Sequence, residues 1–117
     1  MNTRGQQRSA YALEMVSAVP ENKKKDFATF SAGVPAMILQ NGLGQTLAFL
    51  CSKGTDKHTI MLEIIKNWVA RVLRVSNQND REFIRGISAM EQSQYLEAQQ
   101  EVLRLLEWVK RYANAGL

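Results

Sequence analysis

The side chains best suited to catalysis are the chain's only histidine, His58, and its only cysteine, Cys51. An imidazole can act as a general base and a thiolate as a nucleophile, but each needs a partner group within hydrogen-bond reach. The position four residues after His58 is Leu62, not a carboxylate, and Cys51 follows the apolar Leu50. We therefore predict that His58 is a surface or capping residue, that Cys51 is an inert buried thiol, and that the chain is not an enzyme.

The sequence also lacks the residues that a metal site or a disulfide would need. One cysteine cannot form a disulfide within the chain, and one cysteine with one histidine cannot supply a zinc cluster. We expect no metal site, no catalytic residues and no cofactor.

Two glycines flank one leucine in the stretch QNGLGQTLAFL at residues 40–50, which is compatible with a phosphate-binding loop or a hinge. A dinucleotide fingerprint needs a third glycine, where this chain has Leu47, and a P-loop needs Gly-Lys-Ser/Thr. We therefore predict a hinge, with Gly42 as a left-handed C-cap. Gly44 falls in the first turn of the helix predicted to begin at Leu43. A glycine there costs about 1 kcal/mol relative to alanine. That cost predicts the close approach of a neighbouring backbone.

The C-terminal segment carries mixed charges and one tryptophan. Glu97, Glu101 and Glu107 alternate with arginines, which is typical of a solvated, ion-paired helix face. Trp108 lies about 100° from the apolar stripe. This favours burial by a second helix, while an interface anchor or a stacking surface is the alternative. We name Trp108 and Arg104 as candidate protein-interface residues.

The elements that must position these groups are helices, because apolar residues recur at three- and four-residue spacing and no segment alternates as a strand would. The spacing predicts helices over about 3–18, 20–32, 35–40, from 43 onward, 59–74, around 83–87 and over about 94–114. Gly33 is expected to end the second helix and Pro35 to begin a short third one. The fold prediction is an all-α compact bundle of about six helices with a long C-terminal helix, as one domain over residues 1–117. The predicted core stripe of the last helix is Leu96, Val102, Leu103, Leu106, Val109 and Ala113.

The formal net charge is +4 and the sequence pI is about 9.5, which favours an acidic partner such as RNA or DNA. No RNA-binding signature is present, so contact is expected with the nucleic-acid backbone. The run Lys23–Lys25 either solubilises an exposed turn or joins Arg71 and Arg74, or Lys53 and Lys57, in a patch. The candidate nucleic-acid contacts are Arg8, Lys23, Lys24, Lys25, Lys53, Lys57, Arg71, Arg74, Lys110 and Arg111.

The N-terminal residues have no apolar core of signal-peptide type, and no run of about 20 apolar residues occurs. We expect a soluble, cytoplasmic protein with no membrane contact and no small-molecule substrate.

Three stretches carry a resemblance to one family. NGLGQTLAFL after a short apolar helix and YLEAQQEVLRLLEWVKRYANAGL at the C-terminus are the more specific, and QRSAYALEMV is looser. Together they resemble, over essentially the whole chain, the small all-helical subunit of the type III-B CRISPR effector, the Cmr RNA-targeting complex. The matching positions are Arg8, Ala12, Gly42, Leu43, Gly44, Gln45, Leu47, Ala48, Phe49, Tyr95, Glu101, Leu105, Trp108, Lys110, Arg111 and Ala113.

The resemblance implies a non-catalytic subunit in antiviral defence. In that family a few copies stack end to end into a short filament, which runs beside the backbone subunits holding the guide RNA and touches the large polymerase-like subunit. The guide RNA–target RNA duplex lies between the filaments, and the backbone subunits cleave the target. The implied partners are therefore other Cmr subunits, copies of this chain, and that duplex. The alternative function is a helical protein–protein adaptor with no direct RNA contact.

Overall fold

The computed structural model describes residues 2–117, which form five α-helices and one 3-10 turn without a β-strand. In chain order they are α1 (Arg4–Ser17), the 3-10 turn (Glu21–Lys23), α2 (Lys24–Lys53), α3 (Asp56–Leu73), α4 (Asp80–Ser88) and α5 (Gln92–Asn114). The Cα radius of gyration is 13.4 Å, which is the value expected for a compact chain of this length. The prediction of a compact all-α bundle with a long C-terminal helix is confirmed.

Helix α1 begins with a reciprocal cap and lies across α3 and α5. The Thr3 hydroxyl accepts a hydrogen bond from the Gln6 amide, and the Gln6 side chain accepts one from the Thr3 amide. The buried Tyr11 donates its hydroxyl to the carbonyl oxygen of Ile64 at 2.7 Å. Burial raises the pKa of Tyr11 to about 12, so this phenol stays protonated and joins α1 to α3 at neutral pH.

Helix α2 changes direction at Gly42, where φ is 85° and ψ is 162°. Almost only glycine adopts this conformation. The residues before and after the bend, 24–41 and 43–53, are called here the first and second arms of α2. The rings of Phe30 and Phe49, one from each arm, both contact His58 at the start of α3, with centroid distances of 4.6 and 5.5 Å. The predicted hinge is confirmed, although Gly42 does not adopt the left-handed helical cap expected for it.

The predicted break at Gly33 and Pro35 is wrong, because the first arm runs through both residues as continuous helix. Val34, Pro35 and Ile38 are all buried in the core. Their burial stabilises the helix at a position where local propensity alone would end it.

The remaining helices begin and end close to the predicted positions. Arg74 ends α3 in a left-handed conformation, and the Asn79 side chain caps α4 by accepting a hydrogen bond from the Glu82 amide. One core prediction for α5 is wrong, since Leu96 is 51% exposed. The buried face of α5 follows Ala98, Val102, Leu105, Leu106 and Val109 instead.

No helix within residues 2–117 has the length and apolar character needed to cross a membrane.

Candidate interfaces and their structural support

Glu101 is the polar centre of the bundle and is only 7% exposed. Its carboxylate accepts hydrogen bonds from Arg8, from Arg4 Nη1 at 3.0 Å and from Trp68 Nε1 at 3.2 Å. Burial alone would raise the pKa of Glu101, but the hydrogen bonds from Arg8 and Trp68 outweigh burial and lower this pKa below its ordinary value of 4.5. One ionised carboxylate therefore joins α1, α3 and α5.

The solvated position predicted for Glu101 is wrong, whereas Glu97 and Glu107 are exposed as expected. Glu101 lies three residues after Ala98 and four before Leu105, both buried, and this spacing could have revealed its inward position. The Arg8 side chain is only 12% exposed and is bound to Glu101, so its guanidinium is engaged inside the protein.

A second set of polar contacts fixes the bend in α2. The Leu43 amide donates to Gln99 Oε1 at 2.9 Å, and the Gly44 amide donates to the Tyr95 hydroxyl at 2.8 Å. These amides open the second arm, where a helix has no backbone acceptors of its own to offer them. A Cβ added to Gly44 would lie 3.4 Å from the Tyr95 hydroxyl. The close neighbour of Gly44 is thus a side chain, not the predicted backbone.

His58 is buried between the two arms of α2, which corrects the first part of the prediction that it is a surface or capping residue. Its Nδ1 shares a hydrogen bond with the hydroxyl of Thr55, the N-cap residue of α3. Burial lowers the pKa of His58 below 6.5, the nearby Lys57 and Lys53 lower it further, and Asp26 acts in the opposite direction.

Cys51, near the end of α2, is half-buried. Burial raises the pKa of its thiol, so the sulfur is protonated at neutral pH. Among residues 2–117, no three His, Cys, Asp or Glu side chains cluster as a metal ion would require.

Three basic side chains meet where α2 ends and α3 begins, and we call Lys23, Lys53 and Lys57 the lysine end. Lys23 pairs with Asp56, and Lys57 pairs with Asp26 at 3.4 Å. The ammonium of Lys53 lies 5.3 Å from the centroid of the Phe49 ring, and no described carboxylate lies within 4.0 Å of it. Of the run Lys23–Lys25, only Lys23 lies at this end beside Lys53 and Lys57, so the run does not form one patch.

The opposite end of α3 carries Arg71 and Arg74, which we call the arginine end. The Arg71 guanidinium lies 5.1 and 5.6 Å from the ring centroids of Tyr11 and Trp68. Both arginines are exposed, and no carboxylate of residues 2–117 lies within 4.0 Å of either. Arg71 follows Lys57 by fourteen residues, so the two ends are about 21 Å apart along the helix.

The other candidate cations lie where α5 ends beside the first arm of α2. Lys24 is half-buried and donates to the carbonyl oxygens of Val16 at 3.2 Å and Leu117 at 3.1 Å. It therefore joins the start of α2 to α1 and to the residues after α5. Lys25, Lys110 and Arg111 border a groove between α2 and α5.

Trp108 is 37% exposed, so the favoured prediction that a second helix buries it is wrong. Its ring contacts Tyr112 with a centroid distance of 5.8 Å, and the Tyr112 hydroxyl is 2.6 Å from that of Ser9 on α1. Helix α1 covers this flank of α5 at Tyr112 and leaves part of the tryptophan in solvent. Arg104, one turn earlier on α5, is also exposed.

Comparison with known proteins identifies the family. The model of the CRISPR-associated protein family Cas_Cmr5 matches residues 4–116. The Cmr5 subunit of the CRISPR system Cmr of Thermus thermophilus is 32% identical over 116 residues, covering 98% of this chain and 96% of that protein. The corresponding Thermotoga maritima subunit is 30% identical over 112 residues, covering 95% and 82%.

A solved structure agrees with these sequence relatives. The crystal structure of a Cmr5 family protein from Thermus thermophilus has a TM-score of 0.77 at 34% identity, and the match covers 98% of this chain and 97% of that one. The chain therefore belongs to the Cmr5 family, the small subunits of the type III-B Cmr CRISPR complex.

Proposed function

We propose that this chain is a non-catalytic subunit that stacks into a short filament in the cytoplasm and supports binding of target RNA to the guide RNA in antiviral defence. Its contact with the guide RNA–target RNA duplex is made by the lysine end and the arginine end. The observation that carries the proposal is that three exposed cations lack a described carboxylate within 4.0 Å, Lys53 beside the start of α3 and Arg71 and Arg74 at its end, in a chain of net charge +4. Such cations bind phosphates by releasing condensed counterions.

The remaining reactive groups support a non-catalytic role. The His58 ring is enclosed by Phe30 and Phe49 and its Nδ1 is bonded to Thr55. The Glu101 carboxylate is already bound by two arginines and a tryptophan. Each group is engaged in holding helices together, which suits a subunit that lends shape and positive potential to a larger assembly.

The test is target capture by a reconstituted Cmr complex over a salt titration. The variant replaces Lys53, Arg71 and Arg74 by glutamine, and the control replaces Arg81 and Arg85 on α4 in the same way. We expect the variant to lower the slope of log K against log salt by about 2–3 for each copy that touches RNA, while the control leaves it unchanged. An unaltered slope in the variant would remove the electrostatic role.

The exposure of Trp108 favours a second candidate function, a protein–protein adaptor with no direct RNA contact. A half-exposed tryptophan beside Arg104 is a typical anchor of a protein interface. Substituting Trp108 by alanine should then reduce incorporation of the chain into the complex before any RNA is added. If incorporation is reduced and the salt slope of the three-residue variant is unchanged, the adaptor is the better description.

A further inference from the structure

The groove between the first arm of α2 and the end of α5 has an apolar floor. It is lined by Ala28 and Ala32 on α2 and by Asn114 and Ala115 at the end of α5. The Asn114 amide donates to the carbonyl oxygens of Ala28 at 3.3 Å and Lys110 at 2.9 Å. Because the Asn114 amino group is bonded internally, the alanine side chains supply much of the surface that the groove presents to a partner, beside Thr29 and Gly116.

The floor continues along a helix face without charge. Residues 27–52 contain no Asp, Glu, Lys or Arg, although 22% of the whole chain is charged. Several of these residues are nevertheless exposed, including Ala32, Ala36 and Leu39, the last of which is 71% exposed. Depletion of charge on an exposed apolar face is the compositional mark of an interface core.

The rim of the groove is mostly basic, with four cations and one carboxylate, Glu21, among its lining residues. Lys25 borders it from α2, and Lys110 and Arg111 border it from α5. Lys110 pairs with Glu107 at 3.4 Å, whereas Lys25 and Arg111 are exposed and have no described carboxylate within 4.0 Å. The groove thus combines an apolar floor with two cations available on opposite sides.

We propose that this groove binds an acidic amphipathic helix of a partner protein. The small side chains of the floor let another helix approach closely, and carboxylates along its edges would pair with Lys25 and Arg111. An RNA strand is a poorer occupant, because its phosphates could reach Lys25 and Arg111 but its polar backbone would leave the alanine floor without an apolar partner. The inference goes beyond the RNA contacts proposed above and does not depend on them.

Cross-linking from the floor tests the occupant directly. A photoreactive phenylalanine derivative at the exposed Ala32, in the reconstituted Cmr complex, should join a glutamate- or aspartate-bearing helical segment of another protein subunit. The matched control places the same group at Gln78, in the exposed loop between α3 and α4, and should not label that segment. Cross-links from position 32 to RNA, to another copy of this chain, or to no molecule would each overturn the proposal.

Affinity measurements supply the second readout. The variants Ala32→Arg and Lys25→Glu with Arg111→Glu should each weaken incorporation into the complex at least about tenfold, whereas Arg81→Glu on α4 should not. All positions are exposed, and circular dichroism confirms that helicity is retained. Replacing the cross-linked carboxylates of the partner by lysine should restore binding of the charge-reversed variant. Unchanged incorporation of both groove variants contradicts the proposal, even if the RNA-binding variant behaves as expected.

Discussion

The contacts around α5 and the pairs at the lysine end show two different uses of charge in one small protein. Around α5, Glu101 is buried and bound by Arg4, Arg8 and Trp68. At the lysine end, the partners of Lys23 and Lys57 are largely exposed carboxylates on neighbouring helices. The first set is placed to hold the fold, and the second is free to exchange its partners for another anion.

The residues that carry the family resemblance belong mainly to the contacts that hold the fold together. The stretches around Gly42 and Tyr95 that carry the resemblance are hydrogen-bonded to each other through Leu43 and Gly44, and the N-terminal stretch reaches α5 through Arg8. These residues maintain the architecture. The lysines and arginines proposed to contact RNA lie mostly outside them, so membership of the family does not by itself identify the RNA surface.

The largest expected effect comes from removing the buried carboxylate. Glu101→Ala should lower the free energy of unfolding by about 3–5 kcal/mol, because it leaves two guanidinium groups and an indole N–H without their acceptor. Urea denaturation measures the loss, and Glu97→Ala on the exposed face of α5 is the control, with an expected change within about 0.5 kcal/mol. Equal effects for the two variants would erase the contrast between buried and exposed charge.

The next largest effect is expected at two glycines of α2, where substitution by alanine should change the stability in opposite directions. Gly42→Ala should cost about 1–3 kcal/mol, because its positive φ is strained for any side chain. Gly33→Ala should instead stabilise the protein by about 0.5–1 kcal/mol, since Gly33 is helical and a Cβ there meets nothing within 4 Å. Thermal unfolding of both variants decides whether the bend or the helix is the constrained part of α2. A stabilised Gly42 variant would show that the bend is not fixed.

Acid should destabilise the protein through His58 and through Glu101 in separate pH windows. Because the pKa of His58 is lowered in the folded protein, the unfolded chain binds a proton more readily, and stability falls as the pH drops below about 6.5. The pKa of Glu101 is also lowered, but from 4.5, so its contribution is lost only at more acidic pH. His58→Phe should flatten the stability profile between pH 7 and 5 and leave the lower window intact. A profile that keeps its slope there in the variant would contradict the assignment to His58.

The smallest effect is expected at the lysine end. Lys57→Ala breaks an exposed pair with Asp26 and should change stability by no more than about 0.5 kcal/mol. Equilibrium unfolding at low and high salt is the measurement, and the small difference should vanish as salt rises. A loss of several kcal/mol would mean that this pair is structural, like that of Glu101.

The sequence predicted the helical fold and the bend at Gly42, because periodicity and glycine requirements are local properties. It failed at Pro35, where burial of Val34 and Ile38 overrides local propensity. It also missed the burial of Glu101, because the arginine partners of this residue lie more than 90 residues away in the chain. The charge pattern of α5 alone therefore indicated that Glu101 lies on a solvated helix face. Surface cations could be named from composition, but only the tertiary contacts separate Arg8 and Lys24 from the accessible ones.

The most direct test of the central claim is the chemical reactivity of Lys53 within the reconstituted Cmr complex, measured by lysine acetylation and mass spectrometry with and without target RNA. Lys66 serves as the internal reference, because it is buried and paired with Glu63 and Asp80 at 2.8 and 2.9 Å. We predict that target RNA lowers the acetylation of Lys53 several-fold relative to Lys66, as expected for a phosphate contact. Equal acetylation of Lys53 in the two states would contradict RNA contact at the lysine end.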